Sequence, residues 1–227
     1  MKQRRVVVCS AFESNETSCP QSVTRLKELV DNGRAEGFHL SHFPQGHGPT
    51  QFEKFWDKSL QFTNDGILDE YCWQESYKIQ HEKLFEPYII MASADVPLYD
   101  ERFHGYGLNK VSHLAAVSAQ KGGEFFVLPG VFLVAPAHER SKSWAKRYGK
   151  TQSDENMFNQ LVLKGLYYNF TKNLENGKEP VVSKYTRSKQ QLLLKQEKES
   201  KQKEDESSNK SNRTYSITYP TKYLICH

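Results

Sequence analysis

The sequence predicts an α/β domain in which a mixed sheet is flanked by helices. Two apolar runs without helical period, residues 6–11 and 125–135, are typical of buried strands. Segments with apolar residues at helical spacing lie between and after these runs, which favours a layered α/β architecture over a bundle or a sandwich. The chain of 227 residues is long enough for one domain with a hydrophobic core and too short for two comfortable ones.

In the first part of the chain, residues 6–11 are predicted to form a buried strand and a helix follows. Pro20 suits the first helical turn, and Asn32-Gly33 supplies residues that tolerate a positive φ at its end. Residues 34–85 are rich in Gly, Pro, Asn and aromatics, which predicts loops with short elements. The apolar face of the helix contains Val23, Leu26 and Val30.

The second part of the chain repeats the alternation of strand and helix. Residues 88–91 form a second strand candidate, residues 110–120 a helix ended by Gly122-Gly123, and residues 154–174 an amphipathic helix. Pro129-Gly130 interrupts the run 125–135 and predicts a turn or bulge between two short strands near a site.

The character of the chain changes near residue 178. Residues 184–213 are dominated by Lys, Gln, Glu and Ser, which bury too little apolar surface to offset the entropy of ordering them. We therefore divide the chain into a domain at residues 1–178 and a charged, low-complexity tail at residues 179–227. The tail is expected to be disordered or a loose, solvated helix.

Composition excludes several classes of protein. The net charge of +4 comes largely from lysines of the tail that alternate with glutamates, so it does not indicate nucleic-acid binding. The four cysteines lack a CxxC spacing, while a structural disulfide stays open. No run approaches the ~20 apolar residues of a membrane span, and the N-terminal apolar run is too short for a signal peptide. Four N-x-[ST] sequons would suit a luminal protein.

The chemically densest segment is residues 99–110. Adjacent carboxylates at Asp100 and Glu101 precede Arg102, and a Gly-x-Gly turn leads into a predicted helix. Acids, a cation and free backbone donors within one loop could bind a sugar and a phosphate. The alternative is a surface loop whose acids form local salt bridges and helix caps. The other candidate residues here are Gly105, Gly107, Asn109 and Lys110.

Two histidines are further candidates. His47 lies between Gly46 and Gly48, which could present its imidazole to a ligand, and the nearby Phe52, Phe55 and Trp56 could form a sugar-stacking wall. The alternative is a turn packed under its own aromatics. His138 follows the apolar run 125–135 and could ligate a divalent metal, although a lone histidine is more often structural.

Five segments in this order resemble glycosyltransferase family 49, the group of LARGE and the beta-1,4-glucuronyltransferases. SAFE at residues 10–13 resembles the PAFE strand end of the family, and GHGPTQFEKFW resembles its GHxPTNFxKW stretch. The resemblance covers about residues 4–175. The remaining three segments are FEPY at 85–88, YDERFHGYGLNKVSH at 99–113 and EFFVLPGVFLVAPAH at 124–138.

The resemblance implies a GT-A nucleotide-diphospho-sugar transferase fold of which this chain holds the acceptor-side half. It implies manganese, a UDP-sugar donor and a glycan acceptor, and a type II membrane protein of the Golgi lumen whose anchor lies upstream of this chain. Family members transfer glucuronic acid, with xylose as the other sugar, in protein O-mannosyl glycosylation. The reaction inverts the sugar configuration and needs a general base.

The resemblance also implies site roles. We expect the base to be Glu101, with Asp100 as the other candidate, and His138 to be a metal ligand. Substrate contacts are expected from His47, Arg102, Gly105, Gly107, Asn109 and Lys110.

The Asp-x-Asp motif of GT-A enzymes is absent from this sequence. In the family it precedes the strand that residues 6–11 resemble, together with the strands that bind UDP. We therefore expect a fragment, an incomplete gene model or a degenerate paralogue. A non-catalytic glycan-binding paralogue that has lost donor binding is the alternative to an enzyme.

Overall fold

The computed structural model describes residues 4–62, 74–104, 107–120, 123–136 and 153–208. They form a mixed α/β domain built on a five-stranded sheet, which confirms the predicted fold class at this level. Strands β1 to β5 are Arg4–Ser14, Ala35–Gly37, Tyr77–Ile79, Tyr88–Ile90 and Gly123–Pro136. The order along the sheet is β2-β1-β5-β3, and β4 pairs with β1.

The two long strands, β1 and β5, form the parallel centre of the sheet, and the other pairings are antiparallel. Their register shifts between Val8, which faces Val127, and Ser10, which faces Phe132. The extra residues of β5 include Gly130 with φ 78°, a conformation that glycine adopts without strain. The predicted turn or bulge is therefore a bulge within one continuous strand of 14 residues, because β1 remains paired on both sides of it.

Within the described residues, six α-helices surround or extend from the sheet. Helix α1 (Val23–Asp31) begins after Ser22, whose side chain accepts a hydrogen bond from the amide of Arg25. Gly33 follows its end with φ 67°, as the sequence predicted. The other helices are α2 (Pro44–His47), α3 (Phe52–Ser59), α4 (Asn109–Ala119), α5 (Asp154–Glu175) and α6 (Lys184–Ser208).

Two apolar clusters hold these layers together. The larger one lies between the central strands and helices α1, α3 and α4, and contains Val6, Phe55, Leu114 and Val127. The second joins α4 to α5 around Phe170. Both clusters consist of residues before position 175, so α6 adds no member to either.

The aromatic segment at residues 52–56 belongs to the core. The rings of Phe52, Phe55 and Trp56 lie 5.1–5.7 Å from the ring of Phe12 in β1, measured between centroids. The proposed sugar-stacking wall is therefore wrong, because these faces are already covered by a strand residue. Residues 34–85 were predicted to be loops with short elements, and the structure describes short elements there, including α3 and β3.

The charged tail is a helix over part of its length. Residues 184–208 form α6, so the expectation of disorder is wrong there and the alternative of a solvated helix describes them. Its first turn is held by Glu101, which accepts hydrogen bonds from Ser183 and Thr186. Within the described ranges, none of the helices has the length and hydrophobicity needed to cross a bilayer.

Candidate functional site

The parallel strands β1 and β5 end side by side, with Ser14 opposite Pro136. In open α/β sheets, ligands bind beyond the carboxyl ends of parallel strands. A small cavity lies near this end of the sheet, lined by Phe38, Tyr88 and the last residues of both strands. This end of the sheet is the candidate site, and His138, the predicted metal ligand, follows β5 but lies outside the described residues.

His47 ends α2 and is almost completely buried, with 1% of its surface exposed. Its ring lies edge-on to Phe38 at 5.2 Å, and its Nε2 has no hydrogen-bond partner among the described residues. Burial, with a smaller contribution from Lys110, lowers the pKa of His47 to about 3. The imidazole is therefore neutral at physiological pH and lies beneath the surface rather than projecting towards solvent.

Gly46 permits a close approach beside this histidine. The amide of Glu86 donates a hydrogen bond to the Gly46 carbonyl at 2.8 Å. A Cβ at position 46 would lie 2.5 Å from a ring carbon of Phe43 and 3.2 Å from Cγ of Glu86. Only a glycine lets these two chain segments pack at this distance.

Lys110, in the first turn of α4, completes a group that we call the Glu86 cluster: His47, Glu86, Tyr88 and Lys110. The Lys110 ammonium lies 4.3 Å from the centroid of the Tyr88 ring and 3.9 Å from a carboxylate oxygen of Glu86. Burial lowers the pKa of Lys110, and Glu86 opposes this shift. Two residues predicted from separate motifs, His47 and Lys110, are thus brought together.

Burial raises the pKa of Glu86, and the positive charge of Lys110 opposes the shift. The pKa of Tyr88 is also raised, by burial and by the nearby Glu86. Sequence reasoning missed both residues as site members. The signal that could have found them is the FEPY segment at residues 85–88, which contains a glutamate and a tyrosine within one family motif.

Asp100 is occupied by structural contacts. Arg102 donates from Nε and Nη2 to its two oxygens, each at 2.8 Å, and the amide of Val181 donates at 2.9 Å. Its side chain has no exposed surface. Burial by itself raises the pKa of Asp100, but the hydrogen bonds from Arg102 and Val181 outweigh it and the pKa is lowered.

Glu101 is likewise hydrogen-bonded through both oxygens. The amide of Ser183 donates to Oε2 at 2.8 Å, and the hydroxyls of Ser183 and Thr186 donate to Oε1. These hydrogen bonds lower the pKa of Glu101, and the bond from the Thr186 hydroxyl has the largest effect. Both predicted carboxylates therefore hold residues 181–186 against the loop, and no hydrogen bond or ion pair between described residues links them to the Glu86 cluster.

Gly107, the described end of the Gly-x-Gly sequence, leads into α4 through Leu108. Gly107 and Leu108 both have positive φ, at 101° and 58°, and Asn109 is the first helical residue. Asn109 is exposed, and its Oδ1 accepts a hydrogen bond from the amide of Lys110. Gly105 lies outside the described residues. No group of three metal-ligating side chains occurs within the described part of the chain.

The family model described as the glycosyl-transferase for dystroglycan, family 49, matches residues 1–171. The chain belongs to this family. Family 49 membership confirms the resemblance seen in the motifs and extends over the sheet, the Glu86 cluster and most of α5. It ends before α6 begins.

Several known proteins are similar to this chain over about three fifths of its length. Xylosyl- and glucuronyltransferase LARGE2 of Mus musculus is 32% identical over 142 residues, which is 62% of this chain and 18% of that protein. Xylosyl- and glucuronyltransferase LARGE1 of Gallus gallus is 31% identical over 140 residues, which is 61% of this chain and 16% of that protein. The chain thus spans less than a fifth of the length of these relatives.

Proposed function

We propose that this chain forms part of a glycosyltransferase that transfers glucuronic acid, or xylose, from a UDP-sugar to a glycan with inversion. Membership of family 49 and relatives named as xylosyl- and glucuronyltransferases support this. The observation that carries it is the Glu86 cluster, in which polar residues from three segments lie together, and of which Tyr88 lines the cavity near the ends of β1 and β5. The GT-A architecture is part of the proposal, and the parallel strands β1 and β5 support it.

Manganese, the Golgi lumen and the O-mannosyl glycan pathway extend the same proposal. A metal would neutralise the diphosphate of the departing UDP, and His138 is the residue of this chain that the family resemblance assigns to it. Cys19 is disulfide-bonded, which supports an oxidising compartment such as the secretory lumen.

The proposal is tested by supplying the purified chain with UDP-glucuronate or UDP-xylose, manganese, and acceptors ending in xylose or glucuronate. Mass spectrometry of the acceptor measures transfer. A product longer by one glucuronate or one xylose supports the proposal. Absence of any product with every donor and acceptor pair contradicts a transferase activity of this chain.

A non-catalytic glycan-binding protein is the second candidate. It is favoured by the structural use of Asp100 and Glu101, which hold residues 181–186 through hydrogen bonds. In the same experiment, this alternative predicts binding of the acceptor glycan without turnover. Isothermal titration with the acceptor alone distinguishes it from a chain that does neither.

A further inference from the structure

Inverting transfer requires a side chain that takes the proton of the acceptor hydroxyl. Such a group needs an oxygen lone pair that substrate can reach and a fixed position beside the ligand site. The family segments at residues 85–88 and 99–113 hold three carboxylates, Glu86, Asp100 and Glu101. Their hydrogen bonds separate them clearly.

Asp100 and Glu101 are fully engaged, since each of their carboxylate oxygens accepts at least one hydrogen bond. Glu86 differs. Its only polar side-chain contact among the described residues is Lys110 at 3.9 Å, which is longer than a hydrogen bond. Part of its side chain, 19%, remains exposed, so its oxygens can accept a proton from a bound hydroxyl.

We propose that Glu86 is the general base of the transfer and that Lys110 positions it. This inference rests on the proposed function. The acceptor hydroxyl gives its proton to a Glu86 oxygen while the hydroxyl oxygen forms a bond to the anomeric carbon of the donor sugar. The bond from that carbon to the UDP oxygen breaks, and its electron pair leaves with the diphosphate.

The backbone fixes Glu86 at the candidate site. Its amide is bound to the Gly46 carbonyl, and two residues later Tyr88 pairs with Cys9 of β1. Tyr88 also lines the cavity near the end of β1 and β5. Glu86 thus lies two residues before a side chain that lines the cavity, and its backbone position is fixed on both sides.

The charges around Glu86 suit the role. His47 from α2 is neutral because burial depresses its pKa, and Tyr88 from β4 keeps its proton because its pKa is raised. Lys110 from α4 supplies the nearby positive charge. Burial raises the pKa of Glu86 above 4.5, its ordinary value, which strengthens it as a proton acceptor near neutral pH.

The test compares Glu86→Gln and Glu86→Asp with Glu82→Gln as the matched control. Glu82 is exposed and lies four residues before Glu86 in the sequence. We expect Glu86→Gln to lower kcat by roughly 100-fold or more, Glu86→Asp to retain a measurable part, and Glu82→Gln to match the parent chain. Acceptor binding, measured by titration calorimetry, is expected to survive in all three.

The dependence of kcat on pH is a further test, because a loss of packing alone would not change the pH at which kcat rises. For the parent chain, kcat should rise with pH through the ionisation of a carboxyl whose pKa exceeds 4.5, the ordinary glutamate value. Lys110→Met removes the positive charge that lowers the pKa of Glu86. The rise of kcat with pH should therefore occur at higher pH in this variant. If kcat of Lys110→Met rises at the same pH as kcat of the parent chain, the positioning role of Lys110 is contradicted.

Turnover by Glu86→Gln equal to that of the parent chain overturns the inference and leaves the proposed function standing. Loss of acceptor binding together with turnover in Glu86→Gln also overturns it, because the residue would then be a binding group. A parent chain that transfers no sugar removes the proposed function and this role with it.

Discussion

Asp100 shows how a residue chosen for its chemistry can be used for stability. Its carboxylate joins Arg102 to the amide of Val181 within a side-chain environment closed to solvent. Removing the carboxylate takes an acceptor from Arg102, whose side chain is 35% exposed, and from the part-buried amide of Val181, which costs stability. The bonds span 81 residues of sequence, so they fix the chain after α5 to the loop before α4.

We predict that Asp100→Asn lowers the free energy of unfolding by about 2–3 kcal/mol, the range for lost hydrogen bonds to a charged group. Urea denaturation at neutral pH measures it, and Asp57→Asn, at an exposed position, is the control. Because the pKa of Asp100 is lowered in the fold, its stabilisation is present above the ordinary value of 3.8 and is lost as pH falls through the folded pKa. The difference between parent and variant should therefore shrink on acidification; a constant difference contradicts the assignment.

Gly46 is a second residue whose role is steric. We predict that Gly46→Ala destabilises the fold by roughly 1–3 kcal/mol, the usual cost of overpacking, because its Cβ would overlap Phe43 and press on Glu86. Gly48→Ala is the control, since no atom lies within 4 Å of a Cβ there. Thermal unfolding of both variants measures the effect. Equal stability of the two would show that the Phe43 ring moves aside freely.

At the scale of elements, the start of α6 decides what Glu101 does. Its oxygens accept hydrogen bonds from the amide and hydroxyl of Ser183 and from Thr186, which satisfies donors of the first turn in the manner of a helix cap. The helix is otherwise largely exposed, so these bonds are a main source of its order at that end.

We predict that Thr186→Val and Glu101→Gln both reduce hydrogen-exchange protection in the first turns of α6. If Glu101 acts only as a cap, the two variants should lower turnover equally or not at all. If it is the general base, as the sequence predicted, Glu101→Gln alone should abolish turnover while UDP binding survives. Exchange measured by mass spectrometry and steady-state kinetics together separate the two roles.

The element level also shows the limit of periodicity. The helix pattern at residues 110–120 and the strand patterns at 6–11 and 88–91 predicted real elements because each pattern spans the buried face of one element. The short elements predicted for residues 34–85 had no bounds, and the sequence did not show that Phe55 of α3 packs on Phe12 of a distant strand. A cluster of aromatics looks the same in sequence whether it faces a sugar or a neighbouring strand.

At the scale of the whole molecule, the family match and the hydrophobic clusters stop at nearly the same place. The match ends at residue 171, and the second cluster extends to Leu174. Beyond this point, described residues hydrogen-bond to the loop at Asp100 and Glu101 and, from Gln190, to the carbonyl of Val96. None of the described residues after 178 belongs to either cluster, so they contact the domain mainly through hydrogen bonds.

We predict that a chain cut after Lys178 still unfolds cooperatively, with stability lowered by about 1–3 kcal/mol for the few hydrogen bonds lost. Circular dichroism during urea denaturation measures both the transition and its slope. A cut after Leu161, which removes the buried Leu163 and Phe170 of the second cluster, is the destabilising comparison. Loss of cooperative unfolding in the longer product would show that the predicted boundary near residue 178 cuts into the domain.

The sequence by itself determined the α/β class, the main strands and helices, and the family, because these follow from local periodicity and ordered motifs. The tertiary structure decided which polar residues share a site. It placed His47 and Lys110 beside Glu86, and it turned Asp100 and Glu101 towards residues 181–186. Solvent exposure, charge and the filling of lone pairs depend on contacts between residues far apart in sequence, and no local pattern records them.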